Sequence, residues 1–129
     1  MSTIFKKIID GEIPCYKVAE NDQFLAFLDI QPLVKGHVLV IPKFDEDYIF
    51  DLEDDILSGL ICFSKQVAKK MKLHLPCKKI GISVIGLEVA HAHIHLIPIN
   101  SINDMNFSNV KLTLDPSEMK ELADKILMS

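Results

Sequence analysis

Only three cysteines, Cys15, Cys62 and Cys77, occur in the 129 residues, and no two of them form a C-x-x-C pair. Widely spaced thiols in odd number exclude a disulfide framework, a zinc knuckle or a redox pair; they suit a reducing cytoplasm, where they are expected to be buried or idle. Long apolar runs are also missing. The stretch around Ile82 to Leu87 falls well short of the ~18 residues a membrane helix needs, which argues against a helical span. Residues Met1 to Gly11 carry Lys6 and Lys7 but no apolar core followed by small residues, so no secretory signal is expected there. Nor is there an excess of basic charge: the formal net charge of −4 speaks against a nucleic-acid binder. Repeats, linkers and low-complexity tracts are absent too.

What is present is 49% hydrophobic residues, enough for one compact domain with its own core. Ile4, Phe5, Ile8 and Ile9 recur at helical spacing within Thr3 to Asp10, and Gly11 terminates that helix. Tyr16 to Glu20 and Phe24 to Asp29 flank the turn formers Asn21 and Asp22 and read as a hairpin. His37 to Ile41 is a further strand, closed by Pro42.

From Asp45 onward acidic residues crowd the front of the main helix. Its apolar stripe runs through Ile56, Leu57, Leu60, Ile61, Val67, Ala68 and Met71, and Lys69, Lys70 and Lys72 complement the macrodipole at its end. His74 beside them reads as a helix C-terminal residue. Lys79 to Ile85 and Ala90 to Ile97 are expected strands joined by a turn near Gly86. Asp115-Pro116-Ser117-Glu118 supplies an N-cap, a first-turn proline and an acid for a final helix over about 115–128. Five strands among these helices predict an α+β fold: an antiparallel sheet covered by helices on one side.

The chemistry concentrates in His91, His93 and His95. On a strand these alternate residues share one face, while Ala92, Ile94 and Leu96 take the other. Chance places such a triplet in a chain with this histidine content on the order of one time in a hundred. Four readings follow. A solvent-exposed row is disfavoured, because adjacent imidazoles repel once protonated. A single zinc on all three is strained, since the outer pair on a strand is ~13 Å apart, although two of them with His37 would suffice. A nucleotide-binding module without turnover is the third. Nucleophilic catalysis is the fourth and preferred reading: neutral imidazole attacks phosphorus well, and flanking rings disfavour a charge on the central one. A carbonyl holding Nδ1–H of the middle ring would leave Nε2 free.

These residues sit in four ordered blocks. They are Ile4-Phe5-x-x-Ile8-Ile9-x-Gly11-Glu12-Ile13-Pro14, Phe27-Leu28-Asp29-Ile30-x-Pro32, Gly36-His37-x-Leu39-Val40-Ile41-Pro42-Lys43, and His91-Ala92-His93-Ile94-His95-Leu96-Ile97-Pro98. Together they resemble the histidine triad (HIT) family over about residues 3–99. The resemblance implies a single HIT domain over 1–129 with its core in 3–99, and a homodimer in which two five-stranded sheets join into ten strands. It also implies attack at the α-phosphate of a purine nucleotide derivative, either a nucleoside phosphoramidate or a dinucleoside polyphosphate.

On this resemblance His93 is the nucleophile, His91 and His95 bind phosphate oxygens or orient it, and His37 supports them from the adjacent strand. Asp29 takes the ribose hydroxyls, Phe5, Ile8, Ile13, Phe27, Ile30 and Leu39 shape the base pocket, and Gly86 and Glu88, in the turn before the triad, also line the substrate site. No cofactor is required, and a divalent metal would accompany only a polyphosphate substrate. Two positions depart from the pattern: Leu87 replaces the usual glutamine, and Ile99-Asn100 stand where an arginine often follows the last proline. Loss of these donors favours a small leaving group such as an amine.

Overall fold

A computed structural model describes residues 3–129. Helix α1 spans Ile4–Ile9; the Thr3 hydroxyl accepts from Lys6 N–H at 3.1 Å, and Gly11 at φ +80° releases the chain. Strands β1 (Lys17–Glu20) and β2 (Phe24–Leu28) form the expected hairpin, whose turn is closed by Asn21 Oδ1 accepting from the N–H groups of Gln23 and Phe24. Strand β3 (Val38–Pro42) is followed by a short 3₁₀ turn at Ile49–Asp51, helix α2 (Asp54–His74), strand β4 (Lys79–Ser83), strand β5 (Ile94–Ile99) and helix α3 (Pro116–Leu127). Each strand pairs antiparallel with its neighbours in the order β1-β2-β3-β5-β4, an α+β fold as expected.

Alternation along the strands builds two cores. Phe24, Ala26, Leu28, Val38, Val40, Ile94 and Leu96 project to one face, where α2 (Leu60, Phe63, Val67, Met71) and α3 (Met119, Leu122, Ala123, Ile126) cover them. Leu25, Phe27, Leu39 and Ile41 project to the other face and pack with Phe5 of α1. The helices therefore do not all lie on one side as the sequence suggests. The six-residue α1 is too short for its periodicity to reveal which face of the sheet it meets.

Three further boundaries differ. The main helix starts at Asp54, because residues 45–53 form a loop and the 3₁₀ turn. Strand β4 ends at Ser83, leaving Val84 and Ile85 exposed in a longer connection. Strand β5 begins at Ile94, so His91 and His93 precede it. Its ladder to β3 covers only Ile94 to Leu96, since Ala92 N–H turns away to donate to Glu46 O at 2.7 Å. Of the three free thiols, Cys62 is exposed on α2, while Cys15 and Cys77 are half-buried.

No helix among the described residues is long and apolar enough to cross a membrane.

Candidate active site

The three triad histidines and His37 are all buried, in contrast to an exposed row. Although the first two lie outside β5, the alternation survives: Ala92 and Ile94 enter the helix-covered core, while His93 and His91 lie edge-on to Phe5 at ring separations of 5.0 and 6.2 Å. Strand β3 brings His37 to His95, and the register Leu39↔His95 places both on the α1 face of the sheet.

Hydrogen bonds determine the tautomers. Leu33 N–H donates to His37 Nδ1 at 3.1 Å, so that nitrogen carries a lone pair, and the neutral ring holds its proton on Nε2. His37 Nε2 lies 3.0 Å from His95 Nδ1 and donates to it, which leaves the His95 proton on Nε2. His93 Nδ1 lies 2.7 Å from the carbonyl oxygen of His91; a carbonyl only accepts, so Nδ1 carries the proton and Nε2 the lone pair. The His91 Nε2–H donates to Pro42 O at 2.8 Å, and its buried Nδ1 has no partner among the described residues.

Burial is the main reason His37, His93 and His95 stay neutral. It lowers the pKa of His37 to about 3, helped by His95, Lys111 and His93, and that of His95 to about 4, helped by His93 and Lys111. The pKa of His93 is also lowered, first by burial and then by His91, against the opposing bond to the His91 carbonyl and the charge of Glu88. The Asp29 carboxyl is pushed up by burial and by Glu88, while the Gln31 N–H and Lys111 pull it down.

The remaining expected site residues divide. Phe5, Phe27 and Leu39 are buried in one cluster, with Ile8 half-buried against it. Ile13 is half-buried, whereas Ile30 is 65% exposed on the loop after β2. Asp29 follows β2, its Oδ1 accepting from Gln31 N–H at 2.9 Å and its Oδ2 standing 3.8 Å from His37 Nε2. Gly86 adopts φ +77°, and Leu87 and Glu88 beside it are exposed. A mostly apolar cavity of about 680 Å³, lined by Tyr48, Phe50, Ile61, Val84 and Leu87 among others, opens beside His93. His91 is fully enclosed with its ring tied to Pro42. Its contact with His93 is through its backbone carbonyl, which fits orientation of that ring rather than phosphate contact.

Sequence reading missed two groups. The Phe107 ring lies 4.9 Å from that of His95 and 6.4 Å from that of His37, and Lys111 Nζ donates to Phe107 O at 3.0 Å. Both residues belong to a polar, irregular segment with no motif to flag it.

The fold and this constellation agree with known proteins. The profile of the HIT domain matches residues 10–102. The chain belongs to the histidine triad family. Among its HIT relatives is the adenosine 5′-monophosphoramidase of Schizosaccharomyces pombe, 36% identical, covering 98% of this chain and 96% of that one. A HIT-like protein from Bartonella henselae, solved with an unknown ligand, superposes with a TM-score of 0.84 at 30% identity, covering 98% of this chain and 95% of that one. A zinc-bound family member from Mycobacterium smegmatis superposes with a TM-score of 0.83 at 25% identity, over 99% of this chain and 92% of that one.

The zinc-bound HIT relative prompts a test of this chain's donors. Asp29, His37 and His95 bring one ligand atom each to within 4.8 Å of one another. The anticipated zinc set was His37 with two triad histidines; here one triad histidine converges, and Asp29 takes the place of the second. Tetrahedral ligands at ~2 Å from zinc lie about 3.3 Å apart, near the donor separations of 3.0 and 3.8 Å, but a neutral His37 could offer Nε2 only with its proton on Nδ1, so the set fits zinc only if the bond from Leu33 N–H is given up.

Proposed function

We propose that this HIT protein is a nucleotide hydrolase or nucleotidyl transferase that attacks the α-phosphate of a purine nucleotide derivative through His93. The observation that carries the reading is the tautomer pattern. The His91 carbonyl holds the Nδ1 proton of His93 and leaves Nε2 as a buried, uncharged nucleophile, while the Leu33–His37–His95 chain presents Nε2–H of His95 as a donor. Similarity to a monophosphoramidase over nearly the whole chain supports the same reaction class.

In the first step His93 Nε2 forms a bond to phosphorus and the bond to the leaving group breaks. The departing amine takes the electron pair and a proton from solvent. The nucleotidyl-imidazole is cationic, and its Nδ1–H remains bonded to the His91 carbonyl, which stabilises it. Water then attacks phosphorus, releases a proton, and the N–P bond breaks to regenerate neutral His93. His95 Nε2–H donates to a non-bridging phosphate oxygen as charge develops there. Asp29 Oδ2 accepts from the ribose hydroxyls, and Phe5, Phe27 and Leu39 with Ile8, Ile13 and Ile30 enclose the base. Exposed Leu87 offers no donor to a long polyphosphate, which favours a phosphoramidate.

The protein acts as a homodimer in this reading: β4 is an edge strand, and Ile82, Val84 and Ile85 on and beside it are exposed together with Ile61 of α2.

The test is incubation with adenosine 5′-phosphoramidate and with diadenosine tetraphosphate. AMP release, a nucleotidyl adduct seen by intact mass, and loss of both in His93→Ala are expected. Background rates on both substrates would overturn the enzyme reading in favour of a nucleotide-binding role.

A second reading rests on the converging donors. A divalent ion held by Asp29, His37 and His95 would supply Lewis acidity toward a phosphate oxygen. Stoichiometric zinc in purified protein, required for turnover and lost in His37→Ala, would favour it.

A further inference from the structure

Charge is divided along α2 in a way the catalytic reading does not use. No Asp or Glu occurs in residues 56–87, a stretch that carries Lys65, Lys69, Lys70, Lys72, Lys78 and Lys79, whereas Asp45, Glu46, Asp47, Asp51, Glu53, Asp54 and Asp55 crowd the segment just before it. Lysines elsewhere, such as Lys17, Lys35 and Lys43, are paired with carboxylates, but among the described residues neither of these two groups forms an ion pair. The helix keeps them apart. At ~1.5 Å per residue, Asp54 and Lys72 stand roughly 27 Å from each other, so the two halves cannot neutralise one another within one chain.

The stripe of α2 beside β4 shows the division residue by residue. Steps of three and four carry it through Asp54, Leu57, Ile61, Lys65, Lys69 and Lys72. Two consecutive grooves lie between this stripe and β4. The apolar cavity beside His93 takes in Leu57, Ile61, Val84 and Ile85, and a second groove of about 610 Å³ takes in Lys65, Lys69, Lys72, Lys78 and Lys79. Lys72 Nζ donates to Lys78 O at 3.0 Å, which ties the helix to the chain entering β4. Lysines along one groove repel one another, so whatever covers them must bring negative charge. The chain supplies such a surface itself. β4 is a sheet edge, and a two-fold axis passing by the exposed Ile61 and Val84 sets α2 and β4 antiparallel to their own copies. Lys69 then comes opposite Glu53 and Asp54 of the second copy, Lys72 opposite the segment with its Asp51, and Lys79 opposite the turn with its Glu88. A parallel arrangement would set lysine on lysine and acid on acid.

We infer that the lysine groove over residues 65–79 and the acidic segment over residues 45–55 recognise each other between two copies of this chain, so that charge fixes the antiparallel register of the homodimer and makes the dimer sensitive to salt. This rests on the homodimer of the reading above. It goes further in assigning the contacts and the force that orients them. Ile61, Ile82, Val84 and Ile85 supply the apolar middle of the interface, while the flanking charges steer association and exclude wrong registers.

Analytical ultracentrifugation of wild type, Lys69→Glu, Asp54→Lys and the variant carrying both substitutions tests it. Raising NaCl from about 50 to about 500 mM weakens the wild-type dimer roughly tenfold, either single reversal weakens it roughly tenfold at low salt, and the double variant, which restores opposite charges crosswise, returns to within about threefold of wild type. A dimer indifferent to salt and to both reversals, or a double variant no tighter than the singles, overturns the proposal while leaving the homodimer standing. Wild-type binding to phosphatidylserine vesicles that Lys69→Glu abolishes, with the dimer unchanged, also overturns it and gives the groove to a lipid surface. If a reversed variant fails to fold, the salt dependence of the wild-type dimer is the measure, and a constant Kd overturns the proposal. A wild type that stays monomeric at every concentration removes the homodimer and this proposal with it.

Discussion

His37 Nε2 donates to His95 Nδ1 across 3.0 Å, and because Leu33 N–H occupies the other His37 nitrogen, the donor and acceptor roles in this pair cannot be exchanged while both rings are neutral. A contact between the residue before β3 and a residue of β5 thus determines which nitrogen of His95 carries the proton. His37→Ala is expected to free the His95 tautomer and lower kcat/KM by roughly 10- to 100-fold, the size seen when orienting partners are removed. Turnover assays and nitrogen NMR of the His95 ring check it; an unchanged tautomer with full activity would refute the relay.

Buried neutral histidines make stability depend on pH. The folded pKa values of about 3 for His37 and about 4 for His95 lie below the unfolded value of ~6.5, so between these limits the unfolded chain binds more protons. Stability is therefore full above pH ~6.5 and falls as the pH is lowered, by about 2 kcal/mol for each ring at pH 5. Urea unfolding at pH 7 and pH 5 measures this, and His37→Asn should reduce the difference.

Gly36 precedes His37 with φ +91°, and a Cβ there would stand 2.5 Å from Leu75 Cδ1. Gly36→Ala is expected to destabilise the fold by roughly 1–3 kcal/mol and to lower activity by displacing His37. Denaturant midpoints beside turnover rates would show both; a stable, fully active variant would contradict it.

Phe107 lies against the ring of His95, outside the buried cluster that holds Phe27 and Leu39. Phe107→Ala should lower kcat by about tenfold and change KM little, with recovery in Phe107→Leu. A change confined to KM would place the ring on the substrate instead.

Zinc and the His37–His95 proton compete for the same nitrogens. Added zinc should inhibit turnover of a phosphoramidate reversibly, chelator should restore it, and His37→Ala should bind less zinc by calorimetry. Activation by zinc would support the Lewis-acid reading.

The amino-acid sequence alone determined the elements whose signals are local. The Asp115 cap and Pro116 marked the start of α3, the Asn21 turn marked the hairpin, and alternation separated Ala92 and Ile94 from the histidines even where the strand itself begins later. The four ordered blocks point to the HIT family by themselves. Tertiary structure decided what depends on distant partners. Whether α1 lies above or below the sheet is set by Phe5 packing on Leu25 and Phe27, which six residues of periodicity cannot encode.

The same holds for the opening of β5, where Ala92 N–H finds Glu46 rather than β3. Tautomers follow from hydrogen bonds made by residues as far apart as Leu33, Pro42 and His95. Phe107 carries no local signature at all: it meets the rings of His95 and His37 from a polar loop that the Leu112–Pro32 bond anchors. Sequence periodicity reports the face on which a residue lies, whereas protonation and charge in a buried site depend on every group the fold brings within a few ångströms.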